Sequence, residues 1–150
     1  MKDAIVWGAI ALGALNAVPA ALGVWRWCRG ESSRAFWVAL RAGQIGALLF
    51  AVAVGALAAA GNDSSEGLFY LYALLPLAVG FVAEQLRVLS AQTVLDRREL
   101  SSAQAVGELP ESMQQEIVAA IVRREMGVMS LSALVVVFLA LRAAETAHGF

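Results

Sequence analysis

Four long apolar stretches, roughly residues 4–25, 35–60, 68–89 and 126–144, constrain this 150-residue chain more than any other feature. Each is close to the ~20 residues that a helix, rising ~1.5 Å per residue, needs to cross the hydrocarbon of a bilayer. A helix on the surface of a soluble domain keeps one apolar stripe and a polar back. Residues 45–60, IGALLFAVAVGALAAA, are apolar on every side, and with 60% hydrophobic and 15% charged residues little remains to face water. The expectation is an all-α chain: a four-helix transmembrane bundle with the lipid bilayer as its immediate surroundings. Residues 1–150 then form a single integral membrane domain, with a cytoplasmic helical extension over about 90–125 between the third and fourth spans.

The arginines place the connections. Arg26, Arg29 and Arg34 flank the first, and Arg97, Arg98, Arg123 and Arg124 fall in the third, whereas residues 61–67, GNDSSEG, hold two acids and no base. Basic residues gather in cytoplasmic loops, so the first and third connections are expected inside and both termini outside. Trp7 near one face, and Trp25, Trp27 and Trp37 near the other, suit interfacial aromatic belts on the same reading. Cleavage after Val18-Pro19-Ala20 is disfavoured, because Met1-Lys2-Asp3 has no excess of positive charge and the apolar run continues through Val24. Asn62-Asp63-Ser64 matches a glycosylation sequon but reads better as the chemistry of a tight reversal.

The third connection is helical in pattern. Residues 84–100, EQLRVLSAQTVLDRREL, lack Gly and Pro, so the third span is expected to run on several turns beyond the membrane. Ser101 with Gln104 suits a cap, Gly107 a stop, and Pro110 the first position of a new helix. From Glu111 onward, Met113, Ile117, Ala120, Ile121 and Arg124 share one face, which makes an amphipathic helix leading into the fourth span.

Two patterns inside the spans ask for tertiary partners. Ala35, Ala39, Gly43, Ala47, Ala51, Gly55 and Ala59 recur every fourth residue through the second span, and small residues let helix backbones approach closely in lipid, where packing must supply the contact. A shorter ladder, Ala9, Gly13, Ala17 and Ala21, marks the first. The expected use is packing within the chain or against a second copy. The other pattern is polar. Arg41 and Gln44 on the second span, Glu84 and Arg87 on the third and Glu125 at the start of the fourth form a candidate intramembrane polar cluster, since each needs a partner or water there. Arg41 is the expected partner that clamps Glu84 across two spans, with Arg87, one turn away, as the competitor. Asn16, Pro19 and Pro76 are candidate kink positions; proline removes a backbone donor, and Asn16 is placed to relieve the deficit around Pro19.

Several chemistries are excluded or disfavoured. A formal net charge of -1 gives no concentrated basic surface for nucleic acid. Cys28 is the only cysteine and His148 the only histidine, so one chain builds no disulfide, zinc tetrad or bis-histidine haem site. No catalytic residue, metal or cofactor is therefore expected, and HExxH, GxGxxG and Walker patterns do not occur.

Residues 68–87 (LFYLYALLPLAVGFVAEQLR) and 103–126 (AQAVGELPESMQQEIVAAIVRREM), with Ser33-Arg34-Ala35-Phe36-Trp37 before the second span, resemble a group of small four-span membrane proteins of GC-rich Gram-positive bacteria. The arginine-rich, nearly lysine-free usage, with Lys2 the only lysine, suits such a genome. The resemblance implies four spans in a bacterial cytoplasmic membrane and transfers no activity or functional residue. The sequence thus points to a structural or accessory component of a membrane assembly, with a membrane-protein partner or a second copy. Its rivals are an oligomeric transporter or channel, which needs a polar path between both faces, and a quinone- or lipid-binding subunit. The last would show a lateral apolar pocket near Trp25, Trp27 or Trp37.

Overall fold

The computed structural model describes residues 2–62, 64–98, 100 and 103–147. Every regular element among them is helical: α1 (Lys2–Arg29), α2 (Arg34–Ala59), α3 (Gly67–Asp96), a short α4 (Ala103–Gly107) and α5 (Glu111–Thr146). The four long helices, α1, α2, α3 and α5, are each long and apolar enough to cross a membrane. The fourth apolar run and the amphipathic segment before it are one uninterrupted helix of 36 residues.

The helix ends follow local chemistry. Gly30 closes α1 with φ +69° and Gly61 closes α2 with φ +80°, a left-handed conformation that glycine adopts without Cβ strain. In each case two crossed bonds satisfy the last carbonyls: Gly30 N to Trp27 O with Glu31 N to Arg26 O, and Gly61 N to Ala58 O with Asn62 N to Leu57 O. At the start of α2 the Ser33 hydroxyl accepts from the Phe36 amide at 3.3 Å. Pro110 serves as the N-cap of α5 and not as its first residue, its carbonyl accepting from Met113 N and Gln114 N. The expected Ser101 cap lies outside the described residues, as do Asp63 of the sequon and His148.

Buried side chains from the four long helices meet in three layers. One joins Ile5, Ala9, Val54, Phe69, Ala73 and Ala143. A middle layer holds Leu12, Ala47, Val136 and Ala140. The third, at the arginine-rich end, holds Ala20, Phe36, Leu40, Ala83, Met126 and Met129. Neighbouring helices in the chain order α1, α2, α3, α5 therefore run in opposite directions.

The inward positions alternate steps of three and four. In α1 the buried Ile5, Ala9, Leu12, Asn16, Pro19 and Gly23 follow this pattern, with Gly13 and Ala20 buried beside them. In α5 the buried Met126, Met129, Ala133, Val136, Ala140 and Ala143 follow it, with Ser130 buried beside them. Steps of three and four average the ~3.5-residue spacing that keeps a seam on one face of a helix. The ladder of every fourth residue cannot stay on such a seam, because four residues overshoot one ~3.6-residue turn by ~40° at each step. Accordingly Gly43, Ala47 and Ala51 are buried, Ala39 is half-buried, and Ala35, Gly55 and Ala59 are exposed. The α1 ladder divides likewise: Ala9 and Gly13 are buried, Ala17 and Ala21 exposed.

Closest approach is supplied by glycines at the seam. A Cβ on Gly23 would stand 1.9 Å from Ser130 Oγ of α5 and 2.6 Å from a ring carbon of Phe36 in α2. A Cβ on Gly43 would stand 2.6 Å from Asn16 Oδ1, and one on Gly46 would stand 2.6 Å from a methyl of Leu15. Gly55 has nothing within 4 Å of that position.

Candidate functional site

Arg41 and Gln44 lie one turn apart on α2 and so share a face; Glu84 and Arg87 do the same on α3. Antiparallel packing brings the two pairs to one level. Arg41 Nη1 donates to Glu84 Oε1 at 2.6 Å and to Gln44 Oε1 at 2.6 Å, and Gln44 Nε2 donates to the same Glu84 oxygen at 3.0 Å. Arg87 Nε lies 3.1 Å from the other oxygen, Oε2, as an ion pair, but its N–H is not aimed for a hydrogen bond. The two rivals for Glu84 therefore act together, one per carboxylate oxygen. Arg87 also lies over the Trp37 ring, 5.7 Å from its centroid, and Trp37 meets Phe36 edge-on at 5.0 Å.

Glu125 of α5 completes the set by proximity alone. It is half-buried, within the electrostatic reach of Arg87 and Glu84, and has no hydrogen bond or ion pair among the described residues.

Pro76, Gly80 and Glu84 fall on one stripe of α3, and with Gln44, Ala47 and Phe81 they line a cleft of about 220 Å³ between α2 and α3. Glu84 is the charged group at its rim, and its bonds are already taken by α2 and α3 side chains. The arrangement can hold two helices together. It presents no nucleophile with an adjacent base, and among the described residues no three His, Cys, Asp or Glu side chains gather as a metal site.

Asn16 has a different role from the one its neighbour Pro19 suggests. Its amide donates to Leu12 O at 3.0 Å and reaches Gly43 O, across the helix interface, at 3.5 Å. The carbonyl that Pro19 leaves without its helical donor is that of Leu15, four residues back, so Asn16 does not repair the deficit. It joins α1 to α2 instead. Pro19 and Pro76 both lie within continuous helix and are both buried.

The three tryptophans at the arginine-rich end have separate surroundings. Trp25 is covered by Arg26 and Arg29, at 5.1 Å and 4.7 Å from its centroid, and Trp37 by Arg87. Trp27 lines a cavity of about 470 Å³ between the end of α1 and the first turns of α5. A lateral apolar pocket near Trp25, Trp27 or Trp37 is the expected mark of a quinone- or lipid-binding subunit; this cavity lies at Trp27, but with charged and amide groups in its wall that the expectation did not include. Its α5 wall, Gln114, Gln115, Val118, Val122 and Met126, is a helical stripe adjacent to the face centred on buried Ile117. Of the face expected to pack, Met113 and Arg124 are exposed.

At the other end of α5, Arg142 pairs with Glu145 and lies 5.6 Å from the Tyr72 ring centroid. In the third connection Arg98 bonds Glu116 at 2.6 Å, and Gln114 Nε2 bonds Gly107 O and Leu109 O. These bonds tie the end of α3 and the turn after α4 to α5.

No protein-family model, curated protein or solved structure matches the chain.

Proposed function

We propose that this chain is a four-helix transmembrane bundle with a helical cytoplasmic hairpin, acting as a structural or accessory component of a membrane assembly. Both termini lie outside on this reading, and the membrane is the cytoplasmic membrane of a bacterium. The likeness of residues 68–87 and 103–126 to small four-span proteins of GC-rich Gram-positive bacteria belongs to the same proposal.

One observation carries the reading: apart from Glu125, the polar side chains named within the spans are bonded to one another or to helix carbonyls. Arg41, Gln44 and Arg87 converge on Glu84 at one end. Asn16 and Ser130 donate to carbonyls of their own helices. Beyond them, the layers formed by Leu12, Ala47 and Val136, and by Ile5, Val54 and Phe69, are apolar. A transported ion or polar solute would meet no exchangeable ligand across that half, where an unpaired charge costs several kcal/mol, about 2.5–3.5 on insertion scales.

The decisive experiment is extraction from native membranes in mild detergent followed by native mass spectrometry, alongside ion-flux measurement on the purified chain in proteoliposomes. A complex of fixed stoichiometry with a second membrane protein, and liposomes that stay tight, are expected. A chain that migrates alone and makes liposomes conduct would replace the accessory reading with the channel.

A further inference from the structure

The 470 Å³ cavity between α1 and α5 has the size of a small-molecule site, for which ~300–1,000 Å³ is usual. Its other features fit one chemical class. The α5 wall offers Val118, Ala119, Val122 and Met126, and Met126 also begins the apolar run of the last span. Trp27 forms the facing wall, its indole lying against the bare backbone of Gly127, where a Cβ would stand 3.2 Å from Trp27 Cε2. A tryptophan at this level is at home between headgroup and hydrocarbon.

Two cations stand over this apolar floor. Arg123 lines the cavity, is exposed, and has no ion pair or hydrogen bond among the described residues. Arg26 is held from the rim by Glu31 through Nη1, while its Nε has no acceptor among the described residues. The other polar lining groups are Glu31, Ser32, Glu111, Gln114 and Gln115; Gln114 Nε2 bonds two backbone carbonyls, and Gln115 Nε2 reaches Glu111 at 3.5 Å. Two carboxylates also line the cavity, Glu31 against Arg26 and Glu111 beside Gln115, which leaves Arg123 as the guanidinium without a partner among the described residues, and its fork matches phosphate geometry.

We propose that this cavity binds an anionic amphiphile of the inner leaflet, a phosphate ester with an apolar tail, its phosphate at Arg123 and Arg26 and its first tail carbons along Trp27, Val122 and Met126. Glu31 then acts as a competitor, occupying Arg26 when the site is empty of phosphate. Two further cavities carry less. The groove of about 440 Å³ between α3 and α5 is apolar with nothing to say what covers it, and the cleft at Glu84 belongs to a cluster already bonded within itself.

The test uses the full chain in detergent, with native mass spectrometry of the complexes formed with dioleoyl phosphatidylglycerol or dioleoyl phosphatidylcholine at equal concentration. Phosphatidylglycerol should be retained preferentially. Arg123→Gln should lower that retention about tenfold, as expected for one charge-assisted contact of about 1.5 kcal/mol. Glu31→Gln should raise it, a gain that misfolding does not produce. Arg29→Gln and Arg124→Gln, at exposed arginines outside the cavity, should leave it within about twofold, since surface charges are screened.

Equal losses in the control variants would reduce the effect to general attraction and overturn the site, as would equal retention of the two lipids. Soluble glycerol 3-phosphate separates the lipid from a free phosphate. Displacement of the lipid by glycerol phosphate at equal concentration would mean that the apolar wall contributes nothing, and would also overturn the proposal. The cavity proposal rests on the membrane reading, yet the two fail differently. Recovery of the chain in the soluble fraction without detergent removes the membrane reading, whereas a detergent-extracted chain without headgroup preference removes the cavity alone.

Discussion

Asn16 of α1 lies against the bare backbone of Gly43 in α2: its amide reaches the Gly43 carbonyl at 3.5 Å, and its side-chain oxygen fills the space where a Cβ on Gly43 would stand, 2.6 Å away. A small residue and a polar residue, separated by 27 positions, are thus two halves of one contact.

Bulk at Gly43 should separate α1 from α2. Gly43→Leu is expected to destabilise the chain in detergent by about 1–3 kcal/mol, the usual cost of overpacking. Gly55→Leu, which meets open space, should change stability by less than about 0.5 kcal/mol. Thermal unfolding of the two variants side by side checks this, and equal losses would mean that the seam is elsewhere.

Asn16→Leu removes both amide bonds of a buried side chain. Hydrogen bonds between membrane helices contribute about 0.6 kcal/mol on average and up to ~1.7, so the expected loss lies in that range plus any misfit of the branched side chain. Asn16→Ala in a Gly43→Ala background should lose less than the sum of the single variants, because removing the amide vacates the space the new methyl needs.

At Gly23 the neighbours are Ser130 and Phe36, both buried. Gly23→Ala should therefore be the most damaging single methyl addition along α1, and Ser130→Gly should partly rescue it by removing the hydroxyl 1.9 Å away. A neutral Gly23→Ala in thermal unfolding would rule out the close approach of α1 and α5.

Arg41, Glu84 and Arg87 form a shared contact, so their losses should not add. In a double-mutant cycle, Arg41→Ala and Glu84→Ala are expected to couple by about 0.5–1 kcal/mol, toward the low end because both side chains are partly exposed, 49% and 28%. Removing Arg87 first should strengthen that coupling, since one carboxylate oxygen would then lose its second cation. Strict additivity in both backgrounds would dissolve the clamp.

Orientation is tested by thiol labelling in a Cys28→Ala background. Ser65 and Gln104 are both exposed and lie in the second and third connections. An impermeant reagent applied to intact cells should label Ser65→Cys and spare Gln104→Cys; the reverse pattern would invert the topology.

The number and approximate limits of the long helices were readable because hydropathy is a local property. Residues 35–60 and 68–89 correspond to α2 and to the first part of α3 within a residue or so at their starts. The meeting of Arg41, Gln44 and Glu84 was also legible, since few polar side chains share that depth and charge pairs over a distance. Register was not. The ladder of every fourth residue through α2 is genuine in sequence, yet only its middle is buried, because which face of a helix turns inward depends on what its neighbours present. Steps of three and four in Met126, Met129, Ala133, Val136, Ala140 and Ala143 carried that signal, hidden among equally apolar residues on the outward side. The chain by itself determined how many apolar helices form, where arginines gather and where glycines end α1 and α2. Tertiary structure alone decided that Asn16 faces Gly43 and not the gap at Pro19, that Gly23 meets Ser130, and that Trp27 and Arg123 share a cavity. Those outcomes depend on distances between residues far apart in the chain, and in a nonpolar medium they are selected by shape and hydrogen-bond geometry, to which hydropathy is blind.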